Sequence, residues 1–153
     1  MLLELPALWI AVLNVVLIPV LHLGFAWLSL QLPQQWFQLH HNPAHEPSQL
    51  YTSLFRVHQW KNILPDGAPW LGGPSKSGIK SHHKQELQQF LAECRRGQFA
   101  HWLQALAIST LVIYNPTPAN WIILIYAQLS NLPCILNLRH TELRLRVVLF
   151  DTK

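Results

Sequence analysis

Glu93, Arg96 and His101 stand at spacings where acid–base chemistry is possible. An imidazole can take a proton, a guanidinium can hold an oxyanion or a phosphate, and a carboxylate can orient either. Glu93 and Arg96, three positions apart on a helix, can form an ion pair. Glu93 and His101 are separated by roughly 12 Å of helix axis and cannot act as a direct couple. If His101 is a general base, its orienting carboxylate comes from elsewhere, and Asp66 is the best placed. Asn131, Asn137 and Arg139 late in the chain, His22 early, and His58 and Lys61 between them can reach the same level. Gly97, one turn from His101, would leave an opening over the ring. The same groups also suit a plainer role as interhelical hydrogen bonds and charged anchors that snorkel to the surface.

Other chemistries are absent. No His-x4-Asp motif and no Gly-x-Ser-x-Gly elbow occurs. The Gly72-Gly73-Pro74-Ser75-Lys76 stretch lacks the Gly-Lys-Ser/Thr ending of a phosphate-cradling loop. Cys94 and Cys134 are the only cysteines, so neither a disulfide framework nor a four-ligand zinc site is expected. His40-His41 and His82-His83 lie in polar sequence and read as solvated. No metal and no cofactor is expected.

The elements that must position these groups are membrane helices. From Gly97 to Leu138 there is no Lys, Arg, Asp or Glu, enough for two crossings of about 20 residues each. Asn115-Pro116-Thr117-Pro118 supplies the turn between them. Leu5 to Leu30 is a third uncharged run. It begins beside Glu4 rather than a basic region, so a retained span is expected rather than a cleaved signal. Inside it, Asn14, Pro19, His22 and Gly24 should face protein, while Trp9 and Trp27 suit the two interfaces. Pro33 should end this helix. A helix drawn from Lys84 to about Tyr114 starts amphipathic, with Leu87, Phe90, Leu91 and Cys94 at helical spacing, and should ride the interface before entering the bilayer.

The expected architecture is therefore all-α. It is a single membrane unit, 1–153, with spans near 5–30, 99–114 and 118–138 and a loop over 31–98. One N-terminal span and a C-terminal helical hairpin are joined by that loop and an amphipathic interfacial helix. All eleven Lys and Arg residues fall between Gln31 and Gln98 or after Leu138. The positive-inside rule then puts the loop and the C-terminus in the cytoplasm of a multi-pass cell-membrane protein, with the N-terminus outside. A net charge of +4 reads as orientation and contact with anionic lipid head groups rather than nucleic acid.

Trp60-Lys61-x4-Asp66-Gly67, Glu93-x2-Arg96-x4-His101-Trp102 and Tyr126-x4-Asn131-x-Pro133-x5-Arg139 together resemble the glycosyl-4,4'-diaponeurosporenoate acyltransferase family. Leu32-Pro33-x2-Trp36-Phe37 matches more loosely. The resemblance covers about residues 30 to 145. It implies a small membrane enzyme that esterifies a fatty acyl chain onto the sugar of a glycosylated carotenoid or a similar glycolipid. The donor would be an acyl thioester and the acceptor a glycosylated lipid or carotenoid. His101 and Asp66 are then the catalytic candidates, and Trp60, Lys61, Glu93, Arg96, Asn131 and Arg139 the substrate-binding ones. Two departures stand out: His140-Thr141-Glu142 replaces a Tyr-Asn-Arg of the pattern, and Gln98 replaces an acidic residue. A non-catalytic subunit or assembly factor of a larger membrane complex, or a homo-oligomer, fits the same residues.

Overall fold

The computed structural model describes residues 5–39, 49–64 and 83–151, and among them all regular structure is helical. Helix α1 (Ala7–Gln31) is followed by the short helices α2 (Gln49–Ser53) and α3 (Val57–Trp60), then by the long α4 (Lys84–Ser109) and α5 (Ala119–Arg146). Single 3-10 turns follow α1, α3 and α4. The loop motif Asp66-Gly67, the Gly72–Lys76 stretch, His40, His41 and His82 lie outside the described residues.

Helix ends follow from local chemistry. Leu32 is extended at the end of α1, because a residue before proline avoids the helical region. Asn115 to Pro118 reverses the chain between α4 and α5, through a cis Thr117–Pro118 bond. Helix α5 then starts directly after Pro118, where a missing N–H costs nothing.

Two of the helical segments, Ala7–Gln31 and Ala119–Phe150, are long and apolar enough to cross a membrane. Helix α1 buries only Ile10 and Ser29, and exposes Leu8, Trp9, Val15, Val20, Leu23 and Trp27. An apolar helix exposed on most of its surface suits lipid and not water. Trp9 and Trp27 lie roughly 27 Å apart along it, close to the hydrocarbon thickness of a bilayer. The first half of α4 carries Lys84, Glu86, Glu93, Arg95 and Arg96, so that helix does not qualify by the same measure.

Helices α4 and α5 pack against each other along their lengths, and α1 packs on α4. Near the turn the core is Ile10, Ile108, Leu111, Tyr114, Ile123 and Ala127, with Leu13, Leu17 and Leu21 against it. At the charged end Leu87, Leu91 and Cys94 meet Leu138 and Leu145. The apolar face of early α4, expected to lie on a membrane interface, is thus covered by the far end of α5.

Two polar clamps hold α1 to its neighbours. Asn14 exchanges hydrogen bonds with Asn115 at 2.7 and 3.1 Å and accepts one from the Tyr114 hydroxyl at 2.9 Å. His22 lies 3.4 Å from the Gln104 oxygen through Nδ1 and 3.3 Å from the Tyr126 hydroxyl through Nε2. The Gln104 amide donates to the His22 carbonyl at 2.8 Å. Polar groups of the span face protein, as lipid requires. Pro19 and Gly24 do not: Pro19 is exposed, and a Cβ at Gly24 would meet nothing within 4 Å.

Candidate functional site

His101 projects from α4 toward α5, where its Nδ1 lies 3.0 Å from the side-chain oxygen of Asn131. The orientation of that amide is fixed. Asn131 Nδ2 donates to the Ala127 carbonyl at 2.9 Å and to Ser130 Oγ at 3.1 Å, and the residue is fully buried. Its oxygen therefore faces the ring as an acceptor. In neutral imidazole Nδ1 must then carry the proton and Nε2 the lone pair, the tautomer a general base needs. His22 and its clamp sit one helical turn further along α4.

Glu93 and Arg96 pair as their spacing requires, at 2.6 Å. They stand apart from the imidazole: five positions separate Arg96 from His101, which places them on helix faces roughly 140° apart. The Arg96 guanidinium lies 5.4 Å from the centre of the Phe37 ring, a cation–π distance. Its neighbour Arg95 donates to the carbonyls of Phe37 and Gln38 at 2.7 and 3.2 Å, and so fastens the segment after α1 onto α4. The opening expected at Gly97 is filled. A Cβ there would lie 2.9 Å from a Leu138 methyl, so the glycine serves the close approach of α4 and α5.

Arg139 belongs to a group that spacing arguments missed. Glu142, 1% exposed, accepts hydrogen bonds from Gln98 at 2.7 Å, from Arg139 at 3.1 Å and from Arg146, with Arg95 at 3.8 Å. Burial alone would raise the Glu142 carboxyl, but the Gln98 and Arg146 hydrogen bonds and the Arg146 and Arg139 charges outweigh it. Its pKa therefore lies below the ordinary carboxylate value. The signal was present in the sequence: Arg139, Glu142 and Arg146 stand at i, i+3 and i+7, one face of a helix.

Trp60 and Lys61 lie on a different side of the molecule. The Trp60 indole donates to the Phe55 carbonyl at 2.8 Å. Lys61 is exposed and acts electrostatically, with His58 and Arg144, on the buried His140. Burial first, then these charges, hold the His140 pKa below the ordinary histidine value. Asp66 lies outside the described residues. The sequence candidates thus divide into His101 with Asn131, Glu93 with Arg96, Arg139 with Glu142, and Lys61 beside His140. Among the described residues no group of three or more His, Cys, Asp or Glu side chains is placed to hold a metal ion.

The described residues make a small helical protein with two segments long and apolar enough to cross a membrane, and between two packed helices an imidazole meets a buried amide. A family model for glycosyl-4,4'-diaponeurosporenoate acyltransferase matches residues 33–150. A protein of that name from Staphylococcus haemolyticus (strain JCSC1435) is 29% identical over 97 residues, covering 63% of this chain and 56% of its own length. One from Staphylococcus aureus (strain bovine RF122 / ET3-1) is 22% identical over 138 residues, covering 85% of this chain and 82% of its own. No solved structure matches. The chain belongs to the glycosyl-4,4'-diaponeurosporenoate acyltransferase family, a family of acyltransferases.

Proposed function

We propose that the chain moves a fatty acyl group from a thioester donor onto a sugar hydroxyl of a glycosylated carotenoid or similar glycolipid. Family membership supports the reaction class, and the relatives' name supports the acceptor. The observation that carries the mechanism is the contact between His101 and Asn131.

In this reading the membrane is crossed three times, near 5–30, 99–114 and 118–138. The run from Gly97 through the 3-10 turn after α4 is uncharged and pairs with α5 as a hairpin. Segment 31–98 and the C-terminus face the cytoplasm, where the basic residues are, and the N-terminus lies outside. The acceptor's apolar chain stays in lipid, and its sugar enters the layer where the charged collar meets the apolar helices.

His101 Nε2 takes the proton of the sugar hydroxyl as its oxygen attacks the acyl carbonyl. The attack forms a tetrahedral oxyanion. Collapse breaks the carbon–sulfur bond, and the departing thiolate recovers the proton from His101. Asp66, supplied by the loop, would stabilise the imidazolium. Glu93, Arg96 and Arg139, at the charged end of α4 and α5, are the substrate-binding candidates, and Asn131 holds the His101 ring. Family membership weighs against the alternative role as a non-catalytic subunit.

The test is liquid chromatography–mass spectrometry of pigments and lipids from the native host with and without the gene. Loss of an acylated glycoside, with its unacylated precursor accumulating, is expected. An unchanged profile would overturn the reading.

A further inference from the structure

His140 is 4% exposed, and its Nε2 has no hydrogen-bond partner. A buried ring nitrogen left unsatisfied is uncommon, because it forfeits its interaction with water and receives nothing in return. Its surroundings are cationic. Helix α3 packs against α5, which brings His58 and Lys61 to the face that carries His140 and Arg144, and all three neighbours act electrostatically on His140. Among the described residues no carboxylate is paired with any of the four. The cations around Glu142 differ in that respect, being gathered on a buried carboxylate.

Helix geometry keeps the two groups apart. Arg139, Glu142 and Arg146 share one face of α5, whereas His140 and Arg144, one turn apart, share another. Lys61 and Arg144 are exposed, and the buried His140 lies inward of them.

We propose that His58, Lys61, His140 and Arg144 form a binding site for a phosphate group at the charged end of α5. Convergent nitrogen donors without a carboxylate call for an anion whose acceptor oxygens point in several directions. A tetrahedral phosphate meets this condition, and a planar carboxylate falls short. The phosphate can come from an anionic lipid head group or from a soluble phosphorylated thioester. The site stands whether or not the acyl transfer proposed above takes place, because its test is binding and not turnover.

The experiment uses the full chain purified in detergent. One arm titrates coenzyme A; the other titrates phosphatidylglycerol against phosphatidylcholine in mixed micelles, read by native mass spectrometry. Lys61→Gln and Arg144→Gln should each weaken binding about tenfold or more, as expected for a charge-assisted hydrogen bond. Lys84→Gln, which removes the same charge from an exposed position at the start of α4, should leave binding unchanged. Selective loss for coenzyme A identifies a soluble ligand, and selective loss for phosphatidylglycerol identifies a lipid. The proposal is overturned if neither probe binds, or if Lys84→Gln weakens binding as much as the other two. Both test positions are exposed, so folding of the variants is not at issue; His140→Gln adds the buried residue of the site as a third position.

Discussion

Gln98 donates a 2.7 Å hydrogen bond to Glu142, and these are two of the positions where the chain departs from the pattern it resembles. An acid and an arginine of that pattern are here an amide and a carboxylate. The two changes meet across the α4–α5 interface, and the carboxylate now gathers Arg95, Arg139 and Arg146. Glu142→Ala should therefore cost roughly 3 kcal/mol, because it leaves buried guanidinium charge without its counter-ion. Chemical unfolding in detergent would measure this. A loss below about 0.5 kcal/mol would mean that solvent screens the arginines and that the network contributes little.

The same carboxylate should set an acid limit on stability. Its pKa in the fold lies below the ordinary value of 4.5, so the folded state binds its proton less readily than the unfolded chain. The resulting stability is complete above about pH 4.5 and drains as pH falls through the lower folded value. Melting curves between neutral and strongly acid pH should show that loss in the parent protein. Glu142→Gln should flatten it, and Glu86→Gln, at the exposed start of α4, should not.

Helices α1, α4 and α5 were legible because uncharged length, proline position and apolar spacing are local properties. The Glu93–Arg96 pair was legible for the same reason. The role of Gly97 was not. A glycine in a helix reads equally as an opening or as a close approach, and only the partner helix, here through Leu138, decides. The tautomer of His101 depends on Asn131, thirty positions away, and on the two bonds that orient its amide. The site beside His140 needed the packing of α3 on α5, which no periodicity in a loop-rich segment announces.

Asn131 should act on catalysis through His101. Under the proposed reaction, His101→Ala removes the base, a loss of about 100-fold or more in kcat. Asn131→Ala leaves the ring in place without its Nδ1 acceptor and should lower kcat by about tenfold, with little change in KM. Asn131→Asp, which keeps an acceptor at that point, should retain more activity than Asn131→Ala. Turnover of a defined donor and acceptor by the three purified variants checks this. Equal activity of the alanine and aspartate variants would remove Asn131 from the mechanism.

The contact between Gly97 and Leu138 can be read out as a coupling energy. In Gly97→Ala the new methyl would sit 2.9 Å from the end of the Leu138 side chain. That crowding costs about 1 kcal/mol or more, while the gain in helix propensity returns about 1 kcal/mol. The net change should therefore stay within about 1 kcal/mol. Gly97→Val lacks the full propensity gain and adds bulk at the closest point of α4 and α5, so it should cost about 2 kcal/mol. Leu138→Ala alone leaves a cavity and should cost about 2 kcal/mol or more. The double variant should be less damaged than the sum by at least about 1 kcal/mol, because each change relieves the other. Additive losses would show instead that the two residues do not meet, and that the helices are spaced by other contacts.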